Sequence, residues 1–168
     1  LDTLINSNRA HTANACFNKD NTKMVVSRCT SLNASDYTCD LYISEFKKNK
    51  WRMAMKLPEP INQASVSTTQ ANFGFLEGNE VLFFSSNRPG GEGGLDIWYS
   101  SMNEKGEFEK PVNAGKNINT PDDDITPWFV EKDSSLFFSS SYLKGLGGYD
   151  IFKSSFINHN FSEAQNLG

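Results

Sequence analysis

Residues 82–98 read LFFSSNRPGGEGGLDIW, and residues 136–152 read LFFSSSYLKGLGGYDIF. The same phrase stands twice, 54 positions apart. A chain that repeats itself at such a period builds one supersecondary unit several times over. Neither unit can bury its apolar face alone, so neighbouring copies must stack. The repeat extends beyond the phrase. Asp40, Asp96 and Asp150 each open a strand-like run, DLYIS, DIWYS and DIFKS. A single aromatic follows about ten positions later, at Trp51, Phe108 and Phe161. Ile-Asn pairs at 5–6, 61–62 and 118–119 mark the starts of three units, which divide the chain at 1–60, 61–117 and 118–168.

Each unit offers three clear strands and a weaker fourth. They are rich in Val, Ile, Phe, Tyr and Trp and are bounded by Gly, Asn, Asp, Ser and Pro. No segment has a helical period. The second strands, KMVVS, EVLFFSS and SLFFSS, are continuous apolar runs, as expected of a sheet covered on both faces. The predicted fold is all-β: three four-stranded antiparallel blades of a β-propeller. Four to eight blades usually close a propeller. The expectation is therefore a part of a larger one, two copies closing a ring being the other solution. Leu1 is not Met and no signal-peptide pattern follows it, which reads as a mature form or an excised segment.

The glycine-rich stretch between second and third strands reads as a hairpin loop. The aspartate after it closes the loop by accepting hydrogen bonds. Asp40, Asp96 and Asp150 are thus structural, since a catalytic carboxylate is not placed once per blade. Trp51, Trp98 and Trp128 read as inter-blade core rather than as sugar platforms.

LFFSSNRPGGEGGLDIWYS together with INTPDDDITPWF resembles the TolB-type, WD40-like propeller repeat, in the version found in Bacteroidota envelope proteins. Those proteins are often joined to OmpA-like peptidoglycan-binding domains, and some serve the type nine secretion and gliding machinery. The resemblance implies a non-catalytic scaffold in the periplasm or at the outer membrane. Its partners would be other envelope proteins, with peptidoglycan reached through a neighbouring domain. The alternative is a carbohydrate-binding or glycoside-hydrolase propeller. Repeat one departs from the family pattern: its loop is CTSLNASDYTC, with no GxGG. A Cys29–Cys39 disulfide at the neck of this loop would replace the glycine closure and imply an oxidising compartment; two reduced thiols are the other reading. Cys16 is left over.

Other features narrow the function. Net charge is −4, which disfavours nucleic-acid binding. No apolar run reaches the roughly 18 residues of a membrane span. KKNK at 47–50 reads as a solvated turn. The acidic PDDDI at 121–125 has no EF-hand spacing, so no metal is expected there. No other cofactor is implied, no acid/base pair can be assigned, and no enzyme is expected. Asn33-Ala34-Ser35 matches a glycosylation sequon. Arg88, Glu92, Lys144, Asp122 and Asp123 stand on loops and are the expected partner contacts.

Overall fold

The computed structural model describes residues 4–33 and 36–168; Ala34 and Ser35 of the sequon lie outside them. Three antiparallel sheets follow one another along the chain. The first holds β1 (His11–Phe17), β2 (Lys23–Ser31), β3 (Tyr37–Lys47), β4 (Lys50–Trp51) and β5 (Met55–Lys56). The second holds β6 (Thr68–Leu76), β7 (Asn79–Ser86), β8 (Asp96–Ser101) and β9 (Val112–Asn113). The third holds β10 (Asp124–Val130), β11 (Ser135–Ser140), β12 (Asp150–Ile157), β13 (Asn160–Phe161) and β14 (Gln165–Asn166). Strands pair in chain order within each sheet, the meander of a propeller blade, save that β5 returns to β3 and β14 to β12. The fold is β-propeller.

The innermost strands β1, β6 and β10 lie side by side across the blades. Each has a bulge at the same place, between Ala13 and Cys16, Thr69 and Asn72, and Ile125 and Trp128. A left-handed residue sits in each bulge: Asn14 (φ 50°), Gln70 (φ 53°) and Thr126 (φ 55°). Bulges bend a strand and increase its twist, as a strand at the crowded hub requires.

Two cores lie between the blades. Cys16, Val25, Leu41, Phe73, Leu82 and Phe84 fill the first junction. Phe83, Phe129, Leu136, Phe138, Phe152 and Phe161 fill the second. Phe83 and Phe129 stack across it, centroids 5.2 Å apart and planes 15° from parallel. Full burial of each such side chain contributes about 1.5–3 kcal/mol. The repeated LFFSS shows what stacking does. In β7, with a blade on each side, Val81–Ser86 are buried without a break. In β11 the same letters alternate, because Phe137 and Ser139 face away from the second blade and are only half-buried.

The Ile-Asn pairs explain how one blade is fixed to the next. Asn62 Oδ1 accepts the Leu41 amide at 2.9 Å, and its Nδ2 donates to the carbonyls of Leu41 (2.9 Å) and Leu57 (2.7 Å). Asn119 repeats this on Ile97, accepting its amide at 2.8 Å and donating to its carbonyl at 2.9 Å. Each asparagine thus clasps the third strand of the preceding blade, while the adjacent isoleucine is fully buried. Asn119→Ala would leave a buried strand amide without a partner, at a cost of about 2–3 kcal/mol. The expected outcome is a melting temperature lower by roughly 5–10 °C, at about 2–4 °C per kcal/mol, measured by calorimetry against Lys116→Ala on the exposed side of the same turn.

Candidate functional site

The repeat aspartates occupy loop necks. Asp96 Oδ2 accepts the Glu92 amide at 2.7 Å. Asp150 Oδ2 accepts the amides of Leu146 (2.9 Å) and Gly147 (3.1 Å). A Cβ at Gly91 or Gly145 would overlap these carboxylates, which is why the loop needs glycine there. Asp40 differs: its carboxylate pairs with Lys56 at 2.7 Å. The first loop is instead closed by a disulfide joining Cys29 to Cys39, which are register partners across β2 and β3. Cys16 is buried on β1, and burial pushes its thiol up to about 12, so it is inert at neutral pH.

The loop residues expected to meet partners divide. Glu92, Lys144 and Asp122 are exposed. Arg88 is not: it is 5% exposed. Its guanidinium donates to the carbonyls of Pro60 (3.2 Å) and Ile61 (2.6 Å) and lies over the rings of Phe84 and Trp98. The linker into the second blade turns two carbonyls inward, and Arg88 is the donor that satisfies them. Burial lowers its pKa to about 10. Asp123 is a latch between blades, its Oδ1 accepting the Leu95 amide at 2.8 Å and its Oδ2 the Tyr149 hydroxyl at 3.1 Å. The tryptophans also divide. Trp98 is buried and Trp51 half-buried, but Trp128 is 60% exposed. It holds the place of buried Cys16 and Asn72, on the side of the third blade that no other blade covers.

An apolar cleft lined by all three blades lies elsewhere, where the innermost strands end. It has a volume of about 390 Å³. Phe17, Phe73, Phe75 and Phe129 supply its aromatic lining, and Gly74 lies between them. A Cβ at Gly74 would press on the stacked rings of Phe83 and Phe129, so glycine keeps this wall thin. Charged groups come from each blade: Lys19 and Asp20 from the first, Glu80 from the second and Glu131 from the third. Lys19 binds Glu131 through both carboxylate oxygens, at 2.9 and 3.0 Å, and lies 5.3 Å from the Phe75 ring centre. That pairing occupies one carboxylate. Asp20 accepts the Thr22 hydroxyl (2.6 Å) and amide (3.2 Å), and these bonds hold it below the usual carboxylate range. Glu80 Oε1 is buried with no hydrogen-bond partner. An unsatisfied buried carboxyl oxygen is costly, and a ligand donor relieves it. Among the described residues, no group of three or more His, Cys, Asp or Glu side chains is placed to hold a metal ion.

Phe17, Phe73 and Phe129 hold one repeated position, but the carboxylates Asp20, Glu80 and Glu131 hold non-equivalent ones, so the repeat does not point to them.

No family model matches the chain, and no curated protein matches it. Solved structures do. An α-L-arabinofuranosidase from Lactobacillus brevis is similar over 86% of this chain and 50% of its own, with 11% identity and a TM-score of 0.57. The catalytic domain of a GH62 α-L-arabinofuranosidase from Coprinopsis cinerea is similar over 96% and 52%, with 13% identity and a TM-score of 0.55. A thermostable family-43 glycoside hydrolase follows over 95% and 53%, with 12% identity and a TM-score of 0.50. The chain spans about half the length of these structures. At such identities the likeness is one of fold. It nevertheless corrects two expectations. These three structures are glycoside hydrolases, so the expectations of a non-catalytic scaffold and of no enzyme activity are withdrawn.

Burial raises the carboxyl groups of Asp96 and Asp124 above their ordinary value. Such a group keeps its proton in the folded chain at a pH where the unfolded chain has lost it. Stability therefore falls as pH rises through that window, which begins near the ordinary Asp value of about 4. Asp20 and Asp133 are shifted the other way and act below that value. The melting temperature is expected to rise on acidification from pH 7 to about pH 5. Asp124→Asn, which can keep the bond to the Thr120 amide, should flatten that rise in a calorimetric pH series.

Proposed function

We propose that this chain is a carbohydrate-active propeller whose three-blade cleft binds a sugar unit and acts on its glycosidic bond. The observation that carries the reading is the convergence of exposed aromatic surface and carboxylates from three blades on one mouth. Phe17 and Phe75 offer apolar faces for the sugar ring. Glycoside hydrolysis adds water across the bond: the anomeric carbon gains the hydroxyl, and the departing oxygen gains a proton. It needs one carboxyl as acid and one as carboxylate. Asp20, kept ionised by Thr22, suits the carboxylate role. Glu80, whose carboxyl oxygen is buried without a partner, is the second carboxyl group at this mouth. Glu131, already bound to Lys19, fixes the cation at the rim. The names of two structural neighbours make an α-L-arabinofuranoside the first substrate to try. The Cys29–Cys39 disulfide supports an oxidising setting such as the periplasm for this activity.

The test is binding to arabinan by calorimetry together with release of p-nitrophenol from its α-L-arabinofuranoside. Glu80→Gln and Asp20→Asn should each lower turnover by ~100-fold or more while binding persists. Phe75→Ala should weaken binding about fivefold, roughly 1 kcal/mol. Binding that is absent, or indifferent to Phe75, would sink the proposal. Turnover unchanged in both carboxyl variants would remove the assigned roles.

A further inference from the structure

The two junctions inside the chain follow one plan but are filled differently. At the second, Phe83 and its register partner Tyr99 meet Phe156 and its partner Phe161. Ring centroids lie 5.6 Å apart for Phe83 and Tyr99, 6.2 Å for Tyr99 and Phe161, and 4.9 Å for Phe156 and Phe161. The same places at the first junction hold Val25 with its partner Ile43, and Met102 with its partner Phe108. Valine, isoleucine and methionine thus stand where the second junction has rings. Stacking does not call for this, because the next pair of blades packs the same strands with four aromatics.

A groove of about 460 Å³ lies between the first and second blades at this place. Ile43, Leu57, Ile61, Met102 and Phe108 give it apolar walls. Both walls belong to this chain, and the groove shares no lining residue with the sugar cleft. Its size and apolar lining suit a small ligand held by a few polar groups.

The charged groups on the groove are Lys23, Glu45, Glu59 and Glu107. One cation against three carboxylates leaves it a charge of −2. Lys23 does not neutralise them: its ammonium donates to the Met102 sulfur at 2.9 Å. Glu45 is bound by Lys47, which lies outside the groove. Glu59, on the linker leaving the first blade, and Glu107, on a loop of the second, are exposed. Among the described residues neither is in an ion pair. The Glu107 carboxylate accepts the Asn103 side-chain amide at 3.3 Å. One uncommitted carboxylate therefore comes from each blade, with apolar surface between the blades.

We propose that this groove binds an aliphatic diamine, its carbon stem against Ile43, Met102 and Phe108 and its two ammonium groups on Glu59 and Glu107. Two positive charges match the −2 of the lining, and a stem of methylenes gains from apolar walls that a fully hydrated cation would leave unused. The site is separate from the sugar cleft and stands or falls without it.

Cadaverine is the probe, titrated at constant ionic strength into the whole chain with isotope-labelled methionine methyl groups. The Met102 methyl signal should move in a saturable way, with a dissociation constant of about 1 mM or below. The signal of Met24, buried in the first blade, should stay in place. Glu59→Gln and Glu107→Gln, both at exposed positions, should keep the fold by circular dichroism and weaken binding about two- to fivefold each. Lys23→Met, which removes the groove's own cation, should tighten binding by a similar factor. No movement of Met102 up to about 10 mM cadaverine overturns the proposal. So does an equal response to pentanediol, which has the stem without the charges. Glutamine variants that bind as tightly as the unmodified chain, or a Lys23→Met variant that binds more weakly, overturn it as well.

Discussion

The structure depends on a pair of side-chain amides. A third strand in a blade has to give its outward N–H and C=O to something, because the fourth strand pairs with only a few of its residues. Asn62 and Asn119 answer that need from the next unit in the chain. A buried peptide group without a partner costs more than its hydrogen bond contributes. The asparagine therefore fixes where the next blade starts. It sets the position of the isoleucine beside it, then of the latch residue, Ser67 or Asp123, and then of the first strand. Hydrophobic burial supplies most of the stabilisation and is non-directional. The amide clasp adds a directional constraint.

This accounts for what could be read from the letters. The period, the blades, the loop-closing aspartates and the Ile-Asn spacing are features that each unit must repeat to be stacked, so they show in one sequence without relatives. Burial of Arg88 did not show. Its position after SSN and before PGG looks like a loop tip, and its reason for being inside is a pair of carbonyls twenty-seven and twenty-eight residues earlier. Trp128 misled in the opposite direction. It lies in a strand pattern, but its burial depends on a neighbouring blade and not on its own. Identical LFFSS segments with different burial make the same point: a pattern specifies a face, and the assembly decides whether that face is covered.

The cleft was hidden for a related reason. Repeats preserve what stacking requires, so an alignment of the three units emphasises structure and suppresses function. Asp20 follows the first strand of one blade, Glu80 opens the second strand of another, and Glu131 begins a short 3-10 turn in the third. No two are equivalent positions.

The same asymmetry gives the cleft its electrostatics. Lys19 is the one cation among the residues lining it, and it is committed to Glu131. Asp20 is held ionised by a hydroxyl and an amide of its own turn, independent of the other blades. Glu80 has a carboxyl oxygen removed from water and given no donor. The two carboxyl groups therefore meet different surroundings at one mouth. The first and second blades must stack in register for the two to face a common space. That register is set by Asn62, so the clasp that holds the blades together also brings the two carboxyl groups to the same mouth.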